Sequence, residues 1–146
     1  MNALDILKRD HRKVEDIISS LNATWRNDTH SRHTLVQQLK EELKMHEHLE
    51  AEVFYPALMA HKEAQPLAKQ AYQAHIQIDK ILSILQDTDS HRDEWKTRLA
   101  ELQAHLFNHI QHEEEALFSI AKTMFTLEQL EEMGMEMAAM KDYVPA

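Results

Sequence analysis

The stretch Lys44–Pro56 reads KMHEHLEAEVFYP. Its apolar residues have the spacing of one buried helical face, yet His46 and Glu50 occupy two positions on that face. A buried carboxylate without compensation costs several kcal/mol, so it has to be neutralised, paired or bound to a cation. The meaning of these two residues therefore depends on whether other helices show the same replacement.

The composition of the chain favours one all-α domain. With 146 residues, the chain has the length of one ordinary domain with one core. One Gly and three Pro leave little material for tight turns, whereas the residue types that favour helices are abundant. We therefore expect helices to form the whole fold.

The charge and the cysteine count narrow the function classes. Without cysteine, the chain has no disulfide, thiolate zinc site or cysteine nucleophile. The net charge of -9 argues against a surface for nucleic acid or for an anionic membrane. The N-terminal MNALDILKRDHRK lacks the apolar run of a signal peptide, and no segment approaches the roughly 18 apolar residues of a membrane span. We expect a soluble, cytoplasmic protein.

Caps, polar stretches and prolines predict four long helices and a shorter fifth one. The predicted boundaries are, in chain order, a capping box at Asn2 and Asp5, a turn at Asn27–Ser31, an end of helix two near Ala60, Pro66 in the first turn of helix three, an end at Asp87–Asp89, a capping box at Ser90 and Asp93, and a cap at Thr126 and Gln129. Pro56 falls inside helix two and is expected to kink it without ending it.

The short connections between these long helices favour an up-down-up-down antiparallel four-helix bundle. We predict a single domain over residues 1–146, with the bundle over about residues 2–123 and the short C-terminal helix over about residues 126–141.

Each predicted helix has an apolar stripe with steps of three and four residues. In chain order, the stripes are Leu4, Leu7, Val14, Ile18, Leu21 and Trp25; Val36, Leu39, Leu43, Val53 and Ala57; Ala71, Ile78, Leu82 and Leu85; Trp95, Leu99, Leu102, Leu106, Ala116 and Ile120; and Met133, Met137 and Met140. Polar residues fill the gaps in the first four stripes: His11, His46, Glu50, His75, His109 and Glu113. Every bundle helix is thus expected to point an imidazole inward.

The four inward histidines are expected to lie in one layer, because the midpoints between successive histidines fall within or close to the predicted turns. The two halves of the chain also resemble each other at an offset of 63 to 64 residues, which pairs His11 with His75 and Glu50 with Glu113. An approximate two-fold axis would place two His-x-x-x-Glu pairs symmetrically. That arrangement suits two metal ions bridged by two carboxylates.

Two interpretations of this layer stay open at this point: a metal site, or a network of His and Glu hydrogen bonds without metal. Without a cation, Glu50 and Glu113 would be like charges facing each other in a poorly solvated layer, which favours the metal. The zinc-peptidase signature His-Glu-x-x-His and the Glu-x-x-His pairs of ferritin-like bundles are absent from the sequence. Other histidines are expected at turns or off the stripes (His30, His33, His48, His61, His91) or beside the site (His105, His112).

The order His, His-x-x-x-Glu, His, His-x-x-x-Glu, with the Asp10-His11 pair and the FYP sequence ending at Pro56, resembles the hemerythrin-like (HHE) cation-binding domain. The resemblance covers nearly the whole chain and implies a non-haem di-iron centre, with two iron ions joined by an oxo or hydroxo bridge. Zinc or manganese could replace the iron. Carried over residue by residue, the resemblance implies imidazole ligands at His11, His46, His75 and His109 and bridging carboxylates at Glu50 and Glu113.

The sequence departs from the pattern of oxygen-carrying hemerythrins at two positions. Those proteins have a second histidine where Asp79 stands here, and an aspartate bridge one residue beyond Glu113. With one imidazole fewer, the two irons are expected to be more alike, and the remaining coordination position is expected to go to water, Asp79 or Glu47. The pattern is also similar to that of bacterial di-iron proteins linked to iron-sulfur repair and nitric oxide stress, and of iron-sensing domains.

Three functions are compatible with this resemblance. The first is a di-iron protein that binds or senses dioxygen, nitric oxide, peroxide or iron. The second is a di-iron peroxidase or oxidase, in which Glu47, Glu15 or Asp79 moves protons, or an iron-sulfur repair-type stress protein. The third is a bundle with a purely structural metal. The expected partner is a diatomic gas or peroxide, without nucleic acid or membrane, and the chain is expected to be a monomer or homodimer.

Overall fold

The computed structural model describes residues 1–142, and the secondary structure in that range is helical. The helices are α1 (Ala3–Asn22), α2 (Thr29–Leu49), α3 (Tyr55–Met59), α4 (Gln65–Gln86), α5 (Asp93–His112), α6 (Phe118–Met124) and α7 (Leu127–Asp142). No strand occurs between residues 1 and 142, which confirms the all-α fold class. None of the helices in that range is long and apolar enough to span a membrane. Residues 143–146, which the predicted domain includes, lie outside the described range.

Two π-helical turns join these helices into longer ones. The turn π1 (Glu50–Phe54) connects α2 to α3, and the turn π2 (Glu113–Leu117) connects α5 to α6. In each turn the carbonyl of the first glutamate accepts a hydrogen bond from the N–H five residues later, that of Tyr55 or Phe118. A π turn adds one residue to the helical turn and moves all later side chains around the helix axis. The spacing of the apolar residues in the sequence predicts neither of these π turns.

Most of the predicted helix starts are confirmed. Asn2 and Asp5 form a reciprocal capping box before α1. Thr126 and Gln129 exchange equivalent hydrogen bonds before α7. Prolines also lie as predicted: one is in the first turn of α4, and Pro56 is followed by further helix instead of ending it.

The predicted capping box of helix four is wrong. Helix α5 begins at Asp93 with Arg92 as its N-cap, and no side chain caps it. The carboxylate of Asp89 instead accepts the N–H of His91 at 2.9 Å. This turn carries the chain past Ser90 before the helix starts.

Most of the predicted stripe residues are buried, and three of the exceptions have a clear structural cause. Trp25 is 78% exposed because α1 has already ended before it. Ala116 and Ile120 are only half-buried, whereas Leu117 and Ala121 are buried. The turn π2 shifts the buried face of its helix by this one residue.

The buried apolar residues form two clusters with a polar layer between them. The change from one cluster to the other takes place between Leu7 and Val14 in α1, between Leu43 and Leu49 at the end of α2, between Ala71 and Ile78 in α4, and between Ile110 and Leu117 at the end of α5. In α1, α2 and α4 the inward histidine lies within this interval, and in α5 His109 lies directly before it. The four histidines therefore share one layer, and the apolar clusters on both sides restrict its access to water.

The last helix, α7, packs along α1 and against π1. Met133 and Met137 are buried in the first apolar cluster, so two of the three predicted stripe methionines fill the core. Between them, Gly134 lies against the start of the chain, where a Cβ atom would be 2.5 Å from the carbonyl oxygen of Met1. Close contact at this point requires glycine.

Candidate metal centre

The fold brings the six predicted site residues together in the polar layer. They are His11 (α1), His46 (α2), Glu50 (π1), His75 (α4), His109 (α5) and Glu113 (π2), and each is at most 7% exposed. Their ligand atoms form an α1/α2 group (His11, His46, Glu50 and Glu113) and an α4/α5 group (Glu50, His75, His109 and Glu113). Within each group, one atom from each residue lies within 4.8 Å of the others, and both groups include the same two carboxylates.

Glu50 is fully buried and faces one histidine of each group. Its Oε1 lies 3.0 Å from Nε2 of His46 and 3.1 Å from Nε2 of His75. Neither of its oxygens has a hydrogen-bond partner among residues 1–142, and the same holds for Nε2 of His46 and Nε2 of His109. Buried polar atoms are nearly always hydrogen-bonded in native proteins. Four atoms that converge without such bonds fit a cation between them.

Glu113 also faces both groups, with one oxygen toward each. Its Oε1 lies 3.1 Å from Nε2 of His11, and its Oε2 lies 3.4 Å from Nε2 of His109. Tyr55, which is fully buried, donates its hydroxyl proton to Oε2 at 2.5 Å. The same hydroxyl lies 3.2 Å from Nε2 of His75. Tyr55 therefore contacts two site residues directly, although the sequence did not assign it to the site.

Asp10 holds the ring of His46 from behind. Its buried carboxylate lies 2.9 Å from Nδ1 of His46, and Lys141 of α7 donates to its other oxygen. A proton held on Nδ1 leaves the lone pair of Nε2 directed into the layer. Sequence reasoning used Asp10 as part of the family motif but did not assign it to the site. Its position three residues after Leu7, on the buried stripe, was the available signal.

Glu114 holds His11 in the same way. One of its oxygens lies 2.6 Å from Nδ1 of His11 and accepts a 2.5 Å hydrogen bond from Arg12. The sequence alone did not indicate a role for Glu114. Its orientation depends on the turn π2, which leaves no trace in the apolar spacing.

The family model of the hemerythrin HHE cation binding domain matches residues 2–121 of this chain. The chain belongs to the hemerythrin HHE cation-binding family. A crystal structure of an HHE cation-binding domain-containing protein from Mycobacterium kansasii has the same fold, with a TM-score of 0.86 and 28% identity. That match covers 98% of this chain and 87% of the other. The resemblance predicted from the sequence is confirmed.

Proteins of two further organisms are similar to this chain in sequence. An uncharacterized protein of Mycobacterium tuberculosis is 28% identical over 142 residues, which are 95% of this chain and 84% of the relative. A DNA nickase of Nostoc sp. is 24% identical over 144 residues, which are 99% of this chain. The match spans only 40% of the nickase, so this chain corresponds to less than half of that relative's length.

The pKa shifts in the polar layer of this HHE domain show that its buried carboxylates favour a nearby positive charge. Burial alone would lower the pKa of His46, but Glu50 and Asp10 together raise it well above its ordinary value. Burial alone would raise the pKa of Glu113, but hydrogen bonds within the layer lower it well below its ordinary value. His109 differs, because burial lowers its pKa despite the nearby carboxylates. Protonated histidines offset the carboxylates here, and a metal cation would do so without them.

Glu47 lies beside the layer without belonging to either group. Burial raises its pKa to about 8, with a further contribution from the carboxylate of Asp79. Its Oε1 is buried and has no hydrogen-bond partner between residues 1 and 142. Water, Asp79 or Glu47 as the occupant of a remaining coordination position stays a prediction, because Asp79 is exposed and also lies outside both groups.

A cleft of about 90 Å³ between α4 and α5 reaches the α4/α5 group. Its lining includes His109 and Glu113 as well as Ala74, His105 and His112. His105 and His112 thus line the same cleft as two site residues, and a supporting role for them stays a prediction. The histidines expected away from the site are exposed or half-exposed: His30, His33, His48, His61 and His91.

Proposed function

We propose that this HHE domain binds two metal ions, one in each group, with Glu50 and Glu113 as bridging ligands. His11 and His46 would hold one ion, and His75 and His109 the other. The observation that carries this proposal is that two groups of four ligand atoms share both of their carboxylates. The unpaired buried atoms of Glu50 and His46 support it, because a cation is the partner they lack.

Iron is the metal that we propose for both positions. The donor set mixes imidazole nitrogen with carboxylate oxygen and contains no thiolate, a combination that suits iron. Zinc and manganese accept the same donors and would be substitutes. Bound iron would supply the capacity to bind or reduce small oxidants, and this chain's own residues would orient it and exclude water. Asp10 accepts the Nδ1 proton of His46, and Glu114 accepts that of His11. Tyr55 donates its hydroxyl proton to Oε2 of Glu113.

We further propose that the domain binds or senses dioxygen, nitric oxide, peroxide or iron. The cleft between α4 and α5 supports a small ligand, because its 90 Å³ admit a few water-sized molecules at most. A second cavity of about 10 Å³, lined by the four histidines, Glu47 and apolar side chains, has room for roughly one such molecule.

A peroxidase or oxidase activity is the second candidate, and Glu47 is the observation that favours it. A carboxyl group with a pKa of about 8 is protonated at neutral pH and lies close to the layer. It could deliver a proton to a reduced oxygen species. Turnover of peroxide that falls in Glu47→Gln at unchanged metal content would support this activity.

We also propose how the helices of the domain are arranged. The order of the two apolar clusters along α1, α2, α4 and α5 alternates, which supports an up-down-up-down antiparallel bundle. We expect a monomer or homodimer in the cytoplasm.

DNA nicking is not proposed for this chain, since the match spans 40% of the nickase and the chain carries a net charge of -9.

Metal analysis of protein purified from iron-supplemented cells tests these proposals. We expect about two irons per chain and near-ultraviolet absorption from a bridged ferric pair. Nitric oxide or dioxygen should then change the spectrum of the reduced protein reversibly. A spectrum that responds to no small oxidant would indicate a structural metal. Absence of bound metal, together with no uptake of ferrous iron under anaerobic conditions, would refute the metal centre itself.

A further inference from the structure

The two metal-binding groups contain the same donors but differ in what stands behind their histidines. Each group has two imidazoles and the two shared carboxylates. In the α1/α2 group, both Nδ1 atoms face a carboxylate: Glu114 at 2.6 Å from His11 and Asp10 at 2.9 Å from His46. Each of these carboxylates also accepts a hydrogen bond from a basic side chain, Arg12 for Glu114 and Lys141 for Asp10.

The α4/α5 group lacks this support. Among the hydrogen bonds and ion pairs of residues 1–142, none joins Nδ1 of His75 or His109 to a carboxylate. The hydroxyl of Tyr55 contacts two atoms of this group: it lies 3.2 Å from Nε2 of His75 and 2.5 Å from Oε2 of Glu113. A metal ion at this position would have to compete with that hydroxyl.

The repeat in the sequence locates the origin of this difference. At the offset that pairs the histidines, Asp10 corresponds to Ala74, and at the offset that pairs the bridging glutamates, Glu114 corresponds to Ala51. Both carboxylates are thus replaced by alanine in the other half. Ala74 lines the cleft that reaches His109, so the missing side chain leaves open space on that side.

A carboxylate that accepts the Nδ1 proton makes imidazole a more basic ligand and fixes the ring, and its loss typically costs 10–100-fold in metal affinity. We propose that the two metal positions are unequal: the α1/α2 position fills first and holds its ion tightly, whereas the α4/α5 position exchanges its ion and meets small ligands entering through the cleft. This inference rests on the proposed two-metal function. It differs from the expectation of two similar irons, which considered only the ligands themselves.

Titration of the full chain with Co²⁺, followed by visible absorption against a competing chelator, tests the inequality. We expect two binding steps that differ at least tenfold in affinity. Asp10→Asn and Glu114→Gln should each weaken the tight step by about 10–100-fold and leave the weaker step within threefold of its original value. Glu115→Gln is the matched control, because it makes the same change at an exposed neighbour whose carboxylate accepts a hydrogen bond from Gln111 and contacts no site histidine within residues 1–142.

A gain-of-affinity variant keeps the test decisive if either loss variant fails to fold. Ala74→Asp would restore the missing carboxylate toward His109, and it should tighten the weaker step toward the strong one. Anomalous diffraction from crystals grown with one equivalent of Co²⁺ assigns the steps, and we expect the signal between His11 and His46.

The possible outcomes separate the two proposals. Two equal steps, or a first ion between His75 and His109, would overturn the unequal positions while leaving the two-metal function intact. Binding of no cobalt, and of no ferrous iron in the metal analysis described above, would overturn the two-metal function.

Discussion

Replacing Tyr55 by phenylalanine should destabilise the domain more without metal than with it. The hydroxyl of Tyr55 donates a 2.5 Å hydrogen bond to Glu113, and both residues are buried. A hydrogen bond to a charged group contributes about 1.5–3 kcal/mol, and each kcal/mol shifts the melting temperature of a chain of this size by about 3 °C. We therefore expect the melting temperature of metal-free Tyr55→Phe to fall by about 5–9 °C.

In metal-loaded protein the same change should cost about 1 kcal/mol, or about 3 °C, because the ions already satisfy the charge of Glu113. Thermal unfolding followed by circular dichroism, with and without metal, measures both values. Tyr72→Phe is the control: its ring packs on Tyr55 at 4.9 Å, but its hydroxyl makes no hydrogen bond within residues 1–142. Equal losses with and without metal would refute the placement of Glu113 as a ligand.

Three further predictions concern other parts of the molecule. Gly134→Ala should lower the melting temperature, because its Cβ would meet the backbone of Met1 at 2.5 Å; an unchanged value, compared with exposed Met135→Ala, would contradict the close contact. Removal of bound metal by a chelator should lower the melting temperature, since the ions bind only the folded layer, and no change would argue against that coupling. Metal-free protein should lose stability as the pH rises from about 5 to 8. The folded pKa of Glu47, about 8, lies above the ordinary 4.5, so the folded protein holds a proton in this range that the unfolded chain releases. Denaturant unfolding should show a flatter pH profile in Glu47→Gln, and an identical profile would exclude Glu47 as the cause.

The layer of histidines could be predicted from the sequence because two independent regularities locate it. The gaps in the apolar stripes fix the direction of each side chain, and distances along the chain to the turns fix its depth. A wrong boundary did not matter: the N-cap of α5 is Arg92 and not Ser90, yet His109 still lies in the layer. Interior positions of long amphipathic helices are insensitive to such errors at the ends.

The parts of the site that could not be predicted depend on local geometry that has no periodic signal. Spacings of three and four residues cannot distinguish continuous α-helix from a helix with one π turn, so Ala116 and Ile120 were predicted on the buried face in place of Leu117 and Ala121. The same turn sets the orientation of Glu114. Ion-pair partners such as Lys141 come from a helix whose position against α1 depends on tertiary packing.

The internal repeat explains both the likeness and the difference of the two groups. The repeated His-x-x-x-Glu pairs place Glu50 and Glu113 at corresponding points, and each begins a π turn. A repeat of this kind provides two carboxylates that face both groups at once, which a single unpaired segment could not do. The replacement of Asp10 and Glu114 by alanine in the other half leaves both shared carboxylates in place, because neither Asp10 nor Glu114 belongs to either group. Changes around the histidines can therefore make the two positions unequal without disturbing the shared carboxylates.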